Sequence, residues 1–372
     1  MTKIFEDRIE NFRKKLKNNN IDAFLILKEE NREYLSGYTA EDTGFEESAG
    51  ALIISADNLI LATDSRFELQ AAVESPLFEI RCYKSGIAET ITEFLHETEY
   101  KKLGFESGRI TYSQYCKIKE ALNSENIQTE FNPADELVNN LRTVKSEFEI
   151  KKIKQTLAIA EKAYLSMLSE LKPGYTERET AWCLEKKMRE YGADSLSFPP
   201  IVASGPNSAL PHAIAGNRQI KINEPILFDW GAKLKGYCSD TSRTVVFGSP
   251  DDKFKEIYEI LFHAQKIAIE AIKPGIGTRQ IDSLARTHIE KKGYGKKFGH
   301  GLGHGVGLEI HEPPRVSPLK DVPLEPGMIV TIEPGIYLPD WGGIRLENMV
   351  LVTDDGASVL NTLSYENYIL DY

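Results

Sequence analysis

The chain of 372 residues has no long apolar run. A helix that crosses a membrane needs about 20 consecutive apolar residues, and no segment here approaches that length. The N-terminal segment MTKIFEDRIENFRKKLK sets Ile and Phe at helical spacing among charged residues and lacks the apolar stretch of a secretion signal. We therefore expect a surface helix at the N-terminus and no membrane partner.

Cysteine is scarce, and the chain has no basic cluster. Cys82, Cys116, Cys183 and Cys238 are far apart and form no CxxC pair, which argues against a disulfide framework and against a thiolate zinc site. These features predict a cytoplasmic protein. A formal net charge of -11 repels a phosphate backbone, so nucleic acid is not an expected partner.

The length of the chain predicts two domains. Up to residue 140, β-rich runs alternate with amphipathic stretches, which is the pattern of an α/β domain with a central sheet. The runs that predict strands are DAFLILK, ALIISA, NLILATD, FEIRCY and KKLGFE. We place an N-terminal α/β domain at residues 1–140 and a catalytic domain at 141–372. Asp64 and Arg66 are interpreted as part of an ordinary strand-to-helix connection.

The second half of the chain contains an internal repeat. LSELKPGYTERETAWCLEKKMREYGA and AIEAIKPGIGTRQIDSLARTHIEKKGYG both read as helix, KPG turn, helix and glycine, and Lys172 and Lys273 lie 101 positions apart. Pro and Gly end the first helix of each copy, and Thr176 or Thr278 is predicted to cap the next one. A β-rich stretch follows each helix pair. The pattern predicts an α+β domain with a pseudo-twofold repeat.

Acidic residues occupy matching positions in the two copies. Asp229 and Glu333 each come late in an apolar strand, and each is followed by a second acid, Asp240 or Glu347. A pseudo-twofold axis would gather four carboxylates, which repel one another unless cations lie among them. Two divalent metal ions would neutralise them. Arg345 lies two positions before Glu347 on the same strand face, where it either contacts the site or orients Glu347.

Histidines concentrate in the glycine-rich segment GHGLGHGVGLEIHE, which contains His300, His304 and His311. His304 is the predicted nitrogen ligand, and His212 lies in the corresponding part of the first copy. No GK[ST] follows the glycines, so the segment does not predict a phosphate site. The remaining histidines are predicted to lie on amphipathic helices, as structural or solvated residues: His96, His263 and His288.

The motifs FDWGAKLKGYCSD, HGLGHGVGLEIHE, TIEPGIY and GGIRLEN resemble those of the pita-bread metallopeptidases. That family includes methionine aminopeptidase, aminopeptidase P, prolidase and the metal-free creatinase. The resemblance covers the whole chain in domain order and implies a creatinase-like N-terminal domain before a pita-bread catalytic domain. It implies that Asp229 holds one metal ion, that His304 and Glu333 hold the other, and that Asp240 and Glu347 bridge the two.

The resemblance also implies roles for the residues around the metals. Glu333 is the implied proton shuttle, and His212 or His311 would stabilise the oxyanion of the tetrahedral intermediate. The implied substrate-binding residues are His212, His300, His311, Tyr337 and Arg345. Asn348 departs from the family pattern, since relatives usually carry Asp after the bridging Glu.

The N-terminal domain separates the candidate activities, because methionine aminopeptidases generally lack one. We expect an exopeptidase that hydrolyses Xaa-Pro bonds of short peptides by metal-activated hydroxide, as aminopeptidase P or prolidase, and that forms a homodimer. Methionine aminopeptidase and a non-catalytic peptide-binding protein are the alternatives. A serine or cysteine nucleophile is disfavoured because no GxSxG elbow is present. The ligand set suits Mn²⁺, Co²⁺, Fe²⁺ or Zn²⁺, with Mn²⁺ the first choice.

Overall fold

The computed structural model describes residues 2–44, 47–98 and 100–371. Contacts between residues divide the chain into two compact units, Met1–Arg142 and Thr143–Tyr372, which we call the N-terminal unit and the C-terminal unit. Among the described residues, no helix has the length and apolar character needed to span a membrane.

The N-terminal unit is an α/β domain around one mixed sheet. Its helices are α1 (Thr2–Asn18), α2 (Glu29–Ser36), α3 (Glu68–Glu74), α4 (Ile87–Thr98), α5 (Tyr112–Ser124) and α6 (Glu136–Thr143). Its strands are β1 (Ala23–Ile26), β2 (Ala51–Ser55), β3 (Leu59–Thr63), β4 (Glu79–Cys82), β5 (Lys102–Phe105) and β6 (Glu130–Pro133). They lie in the order β4-β3-β2-β1-β5-β6, and only β2 runs antiparallel to its neighbours among the paired strands described.

The core of this unit follows the predicted runs, and all five of them form strands. Every residue of β1 is buried, as expected for a central strand covered on both faces. The predicted N-terminal helix is α1, whose apolar side packs inward: Phe12 meets Phe24 edge to face, with ring centroids 5.4 Å apart. Strand β6 escapes prediction because it is a short edge strand that ends in a proline.

The C-terminal unit begins with the long helix α7 and contains two similar helix pairs. Its helices are α7 (Glu147–Leu168), α8 (Glu177–Glu190), α9 (Asp252–Ala271) and α10 (Thr278–Lys291). The strands of its first half are β7 (Ser195–Leu196), β8 (Ile201–Ser204), β9 (Ile226–Trp230), β10 (Ala232–Leu234), β11 (Tyr237–Cys238) and β12 (Thr241–Phe247). The later strands are β13 (Gly303–Gly305), β14 (Glu312–Val316), β15 (Ile329–Ile332), β16 (Gly335–Leu338), β17 (Gly342–Arg345), β18 (Asn348–Val352), β19 (Ala357–Val359) and β20 (Ile369–Leu370).

The two halves of this unit have the repeated arrangement that the sequence predicts. Apolar residues of α7 and α8 form one core with β9 and β12, and those of α9 and α10 form another with β15 and β18. The larger sheets are β20-β12-β9-β8 and β14-β13-β15-β18-β19. A smaller sheet has the order β11-β10-β7, and β16 and β17 form a separate hairpin. Each helix pair therefore supports one antiparallel strand pair, β9 with β12 or β15 with β18.

The starts of the second helices differ between the two copies. Thr176 caps α8 as predicted, and it forms a capping box with Glu179. The prediction for Thr278 is wrong, because Gly277 is the N-cap of α10 and Thr278 is its first residue. The Thr278 hydroxyl instead accepts a hydrogen bond from the backbone N–H of Val322, 3.1 Å away, which ties the helix to the segment before β15.

Tyr164 on α7 has a buried hydroxyl for which the described residues offer no hydrogen-bond partner. Its ring stacks on Trp230, with centroids 4.2 Å apart and planes inclined by 15°. Tyr258 on α9 is also buried, but its hydroxyl donates to the backbone carbonyl of Tyr365 at 2.8 Å. Burial raises the pKa of both phenols, so both hydroxyls stay protonated at neutral pH.

We expect Tyr164→Phe to leave the free energy of unfolding unchanged or to raise it by about 1 kcal/mol, because the ring contact remains and an unpaired buried hydroxyl is removed. Tyr258→Phe is the matched control and should lower the free energy of unfolding by about 1 kcal/mol, because it leaves a buried carbonyl without its donor. Urea denaturation of both variants at constant metal concentration measures the difference. Equal losses would contradict the interpretation of the Tyr164 hydroxyl.

Candidate active site

Four carboxylates converge from two strand pairs. In the first, Asp229 on β9 pairs with Ser242 on β12, and Asp240 directly precedes β12. In the second, Glu333 follows β15 and Glu347 precedes β18, where Ile332 pairs with Asn348. Each pair therefore contributes two acids at one end of its ladder. This is the arrangement that the internal repeat predicts.

His304 lies in strand β13, which is between β14 and β15 in the five-stranded sheet. The flanking glycines permit this position. A Cβ atom on Gly303 would lie 1.9 Å from the carbonyl oxygen of Thr331, and one on Gly305 would lie 2.3 Å from that of Pro313. No side chain fits at such distances. The glycines of GHGLGHG thus allow the close strand contact that directs the imidazole toward the acids.

Ligand atoms of Asp240, His304 and Glu347 all lie within 4.8 Å of one another. His304 Nε2 is 3.6 Å from Asp240 Oδ2 and 3.3 Å from Glu333 Oε1. Asp229 adjoins the same cluster and accepts a hydrogen bond from Arg345 Nη2 at 2.5 Å through Oδ2. The structure therefore brings together all five predicted metal ligands.

The pKa values within the cluster indicate a deficit of positive charge. Burial, with the negative charge of neighbouring acids, raises the pKa of Asp240 and of Glu347 well above the usual range. Burial also raises the pKa of Asp229, although Arg345 opposes this effect. Burial would raise the pKa of Glu333 as well, but His304 outweighs it and holds that pKa at about 2. Asp240 and Glu347 therefore need a neighbouring positive charge to stay ionised at neutral pH.

The donor set fits divalent metal ions. Carboxylate oxygens and one imidazole nitrogen are ligands that first-row divalent metals accept. Asp229 Oδ1 is buried and has no hydrogen-bond partner among the described residues, and such an oxygen is costly to bury unless it binds something. The residues that would hold metal are Asp229, Asp240, His304, Glu333 and Glu347.

Two hydroxyls that are not among the predicted site residues orient these ligands. Ser242 Oγ donates to Glu347 Oε2 at 2.9 Å and accepts a hydrogen bond from Arg345 Nε at 2.9 Å. Thr331 Oγ1 donates to Glu333 Oε1 at 3.3 Å and accepts one from the backbone N–H of His304 at 3.1 Å. Each hydroxyl lies two positions from an acid in sequence, at Asp240 or Glu333. Side chains two positions apart share one face of a strand, so this spacing could have indicated both hydroxyls from the sequence.

Arg345 connects the acids to the predicted substrate-binding residues. Besides Asp229 and Ser242, its guanidinium donates to the Tyr337 hydroxyl at 2.8 Å. His300 Nε2 lies 2.9 Å from the same hydroxyl. Burial lowers the pKa of His300 and raises that of Tyr337, so both groups are neutral near pH 7. Arg345 therefore contacts the site directly and also reaches Glu347 through Ser242.

His311 and His212 line a cavity of about 860 Å³ together with all five acid and imidazole ligands. The His311 ring lies 4.3 Å from that of His304. Burial, assisted by the neighbouring His304, lowers the pKa of His311 to about 4, which leaves a neutral imidazole at neutral pH. The cavity also has apolar walls, formed by Trp182, Phe198, Pro199, Ile214 and Leu319.

Asn348, the departure from the family pattern, supports the ligand strand. Its side-chain oxygen accepts a hydrogen bond from Arg243 Nη2 at 3.0 Å. Arg243 also donates to the backbone carbonyl of Glu347. The amide thus keeps an acceptor for Arg243 although it lacks the charge of an aspartate.

The histidines that are predicted to be structural lie away from the cavity lining, on α4, α9 and α10: His96, His263 and His288.

Comparison with known proteins supplies close relatives. The chain is 40% identical over 361 residues to an Xaa-Pro dipeptidase of Pyrococcus furiosus, covering 97% of this chain and 99% of the relative. The solved structure of an Xaa-Pro dipeptidase from Bacillus anthracis superposes with a TM-score of 0.92 at 41% identity, covering 98% of this chain and all of the other. An X-Pro aminopeptidase from Thermotoga maritima gives a TM-score of 0.85 at 38% identity, covering 95% and 98%.

The matching family models account for both units. A creatinase/prolidase N-terminal domain matches residues 8–144, and metallopeptidase family M24 matches residues 151–354. The second match implies divalent metal ions, in agreement with the acid and imidazole cluster. The chain belongs to metallopeptidase family M24, in which its pita-bread catalytic domain follows a creatinase-like N-terminal domain.

Proposed function

We propose that the chain is a dinuclear-metal exopeptidase that hydrolyses the Xaa-Pro bond of short peptides. The observation that carries this proposal is the buried cluster of Asp240, His304 and Glu347, with ligand atoms within 4.8 Å of one another in a 860 Å³ cavity. Several relatives carry the names Xaa-Pro dipeptidase or prolidase. These names support proline-containing dipeptides as the proposed substrates, rather than the substrates of a methionine aminopeptidase.

In this proposal Asp229 would hold one ion, His304 and Glu333 would hold the other, and Asp240 and Glu347 would contribute to both. Bound divalent ions supply Lewis acidity, which lowers the pKa of a coordinated water and polarises a carbonyl. We propose two Mn²⁺ per chain, because a set of carboxylates with one imidazole suits a metal that accepts many oxygen ligands. Arg345 fixes Asp229 through its hydrogen bond and thereby leaves Asp229 Oδ1 available.

The chain's own residues handle the proton and the developing negative charge. Glu333 lies in the cavity beside His304, where its carboxylate can accept a proton from the attacking water and deliver it to the prolyl nitrogen as the C–N bond breaks. His212 and His311 line the cavity beside the cluster, where an imidazole N–H can donate to the oxyanion. His300, Tyr337 and Arg345 form a connected wall that positions the peptide.

The scissile bond of an Xaa-Pro peptide lacks an N–H, because the proline nitrogen is a tertiary amide. Recognition must therefore use the ring and the ends of the peptide. Apolar residues such as Phe198 and Ile214 line the cavity, and they supply close contacts for aliphatic groups. Arg315 also lines the cavity, and its cation suits a peptide carboxylate.

The metal assignment predicts the effect of removing one bridging acid. Asp240→Asn and Glu347→Gln should each reduce Ala-Pro hydrolysis by orders of magnitude and lower the metal content, while the fold survives. Chelation should abolish turnover of the unmodified chain, and active protein should contain two ions per chain by mass spectrometry of the metals. Full activity with one ion or none would sink the dinuclear proposal.

Glu161→Gln is a control for burial alone. Glu161 is a buried carboxylate of the same unit that accepts a hydrogen bond from the Thr362 backbone at 2.8 Å. Its substitution should lower stability without changing the number of bound ions. Loss of metal in this variant as well would show that metal content reports the fold rather than the ligands.

The histidines should act on substrate. We expect His212→Ala and His311→Ala to lower kcat/KM by about 10²-fold, the scale of one lost oxyanion donor, with metal content unchanged. His263→Ala, on the outer part of α9, is the control and should be near neutral; His263 contacts Glu259 and lies outside the cavity lining. If the cavity variants lose metal or melt, their assignment is wrong.

Specificity is tested by comparing Ala-Pro, Ala-Pro-Ala and Met-Ala-Ala under identical metal conditions. We expect cleavage of Ala-Pro to dominate. Preference for Met-Ala-Ala would overturn the Xaa-Pro proposal, and efficient cleavage of Ala-Pro-Ala would identify an aminopeptidase P. We further propose that the protein is a cytoplasmic homodimer, whose mass light scattering measures directly.

A further inference from the structure

A single buried amide lies behind two of the acids. Gln265 on α9 is 2% exposed. Its Nε2 donates to the backbone carbonyl of Ile332 at 2.7 Å and to that of Leu346 at 2.9 Å. These are the residues immediately before Glu333 and Glu347. One side chain thus bonds to the two strands at the points where each delivers a carboxylate.

Strand pairing changes partners at these points. β15 and β18 pair up to Ile332 and Asn348, and the hairpin of β16 and β17 pairs from Gly335 and Arg345. Residues 333–334 and 346–347 lie between the two ladders. The backbone that carries Glu333 and Glu347 is therefore outside both regular ladders. One long backbone bond joins the two segments there, from the Leu346 N–H to the Pro334 carbonyl at 3.3 Å, and the Gln265 amide adds a second connection.

The orientation of the amide is fixed from its other end. The Tyr365 hydroxyl donates to Gln265 Oε1, and the Tyr365 ring lies against Arg243, whose guanidinium carbon is 4.4 Å from the ring centroid. Two carbonyl acceptors on one side and a hydroxyl donor on the other leave only one way to satisfy the amide. The NH₂ group must face the two acid-bearing strands.

The corresponding position in the first half has a related contact. Gln265 follows Tyr164 by 101 positions, which is also the distance from Lys172 to Lys273. The Tyr164 ring packs against Trp230 and Phe228, with centroids 4.2 and 5.5 Å away. These two residues flank Asp229. In both halves, the same helix position therefore contacts residues next to a predicted metal ligand, through side-chain rings in the first half and through backbone carbonyls in the second.

We propose that Gln265 is a positioning residue for the metal site, holding Glu333 and Glu347 at the separation that a pair of divalent ions requires. It rests on the proposed function, because those two acids must be metal ligands. The amide acts through the backbone and does not touch substrate. Losing the two amide hydrogen bonds leaves residues 333–334 and 346–347 joined through the 3.3 Å backbone bond between Leu346 and Pro334. Their separation is then held less firmly, and small ligand displacements weaken metal coordination.

The test is the affinity of the full-length chain for Mn²⁺. Gln265→Met keeps the length of the side chain and fills the same space but cannot donate a hydrogen bond. The loaded protein is equilibrated with buffers of graded free Mn²⁺, and the free ion is measured by its electron paramagnetic resonance signal. We expect the dissociation constant to rise about 10- to 100-fold, the range observed when the support of a metal ligand is removed.

Leu261→Ala is the matched control. Leu261 is fully buried one turn earlier on α9 and belongs to the same core, but it is apolar and has no side-chain hydrogen bond to give. This variant should lower the melting temperature and leave the Mn²⁺ dissociation constant within about threefold of the unmodified chain. A purely structural role for Gln265 would make Gln265→Met behave in the same way, and that result overturns the proposal.

Gln265→Glu is a second variant, which retains the oxygen that Tyr365 contacts but loses the NH₂ group. It should also weaken Mn²⁺ binding. If neither Gln265 variant folds in excess Mn²⁺, Gln265 is needed for folding as such, and the positioning role is rejected. Failure of the unmodified chain to bind Mn²⁺ would instead refute the proposed function. Normal binding by both the unmodified chain and Gln265→Met would refute only the present inference.

Discussion

Mutual repulsion among buried acids is the constraint on which the C-terminal unit depends. Asp229, Asp240, Glu333 and Glu347 lie in one cavity, and burial removes the water that would otherwise screen their charges. Protein groups offset only part of this charge: Arg345 contacts Asp229, and His304 contacts Glu333 and Asp240. The raised pKa values of Asp240 and Glu347 reflect burial and the negative charge that these groups leave uncompensated. Divalent cations, which the match to metallopeptidase family M24 implies, would neutralise this charge.

The fold meets this constraint by placing support at fixed intervals along its strands. Hydroxyls or a guanidinium lie two residues from an acid, as Ser242, Thr331 and Arg345 do. Side chains two apart share a face of a strand. Thr331 bonds to its own neighbour Glu333, whereas Ser242 and Arg345 bond across to an acid of the other strand pair, Glu347 and Asp229. The helices behind the strands add further contacts: the ring of Tyr164 stacks on Trp230, and the amide of Gln265 donates to two backbone carbonyls. Position is therefore controlled from both the side chain and the main chain.

Sequence reasoning succeeded where the information is local or repeated. Periodic apolar runs predicted five of the six strands described in the N-terminal unit, and equivalent positions in the repeat indicated that Asp229 and Glu333 lie in one place. It failed where the outcome depends on tertiary contacts. Thr278 has the composition of a cap, yet its hydroxyl bonds to the segment near Val322.

Gln265 shows the same limit of sequence reasoning. Nothing in the amphipathic pattern of α9 distinguishes a glutamine that reaches two distant carbonyls from one that would face solvent. Its partners, Ile332 and Leu346, lie 67 and 81 positions further along the chain. Only the folded arrangement brings them within reach of one amide.

The difference between Tyr164 and Gln265 also bears on the ancestry of the fold. If the unit arose by joining two copies of one ancestral segment, both copies began with the same residue at this helix position. That one residue type had to contact the strand pair of each copy. An aromatic ring cannot donate to two carbonyls, and an amide cannot stack on Trp230 as a ring does. Once the copies diverged here, each half became specialised for its own strand pair. A chimaera made of two first halves or two second halves would then be poorly matched at one of its strand pairs. Neither half can therefore replace the other.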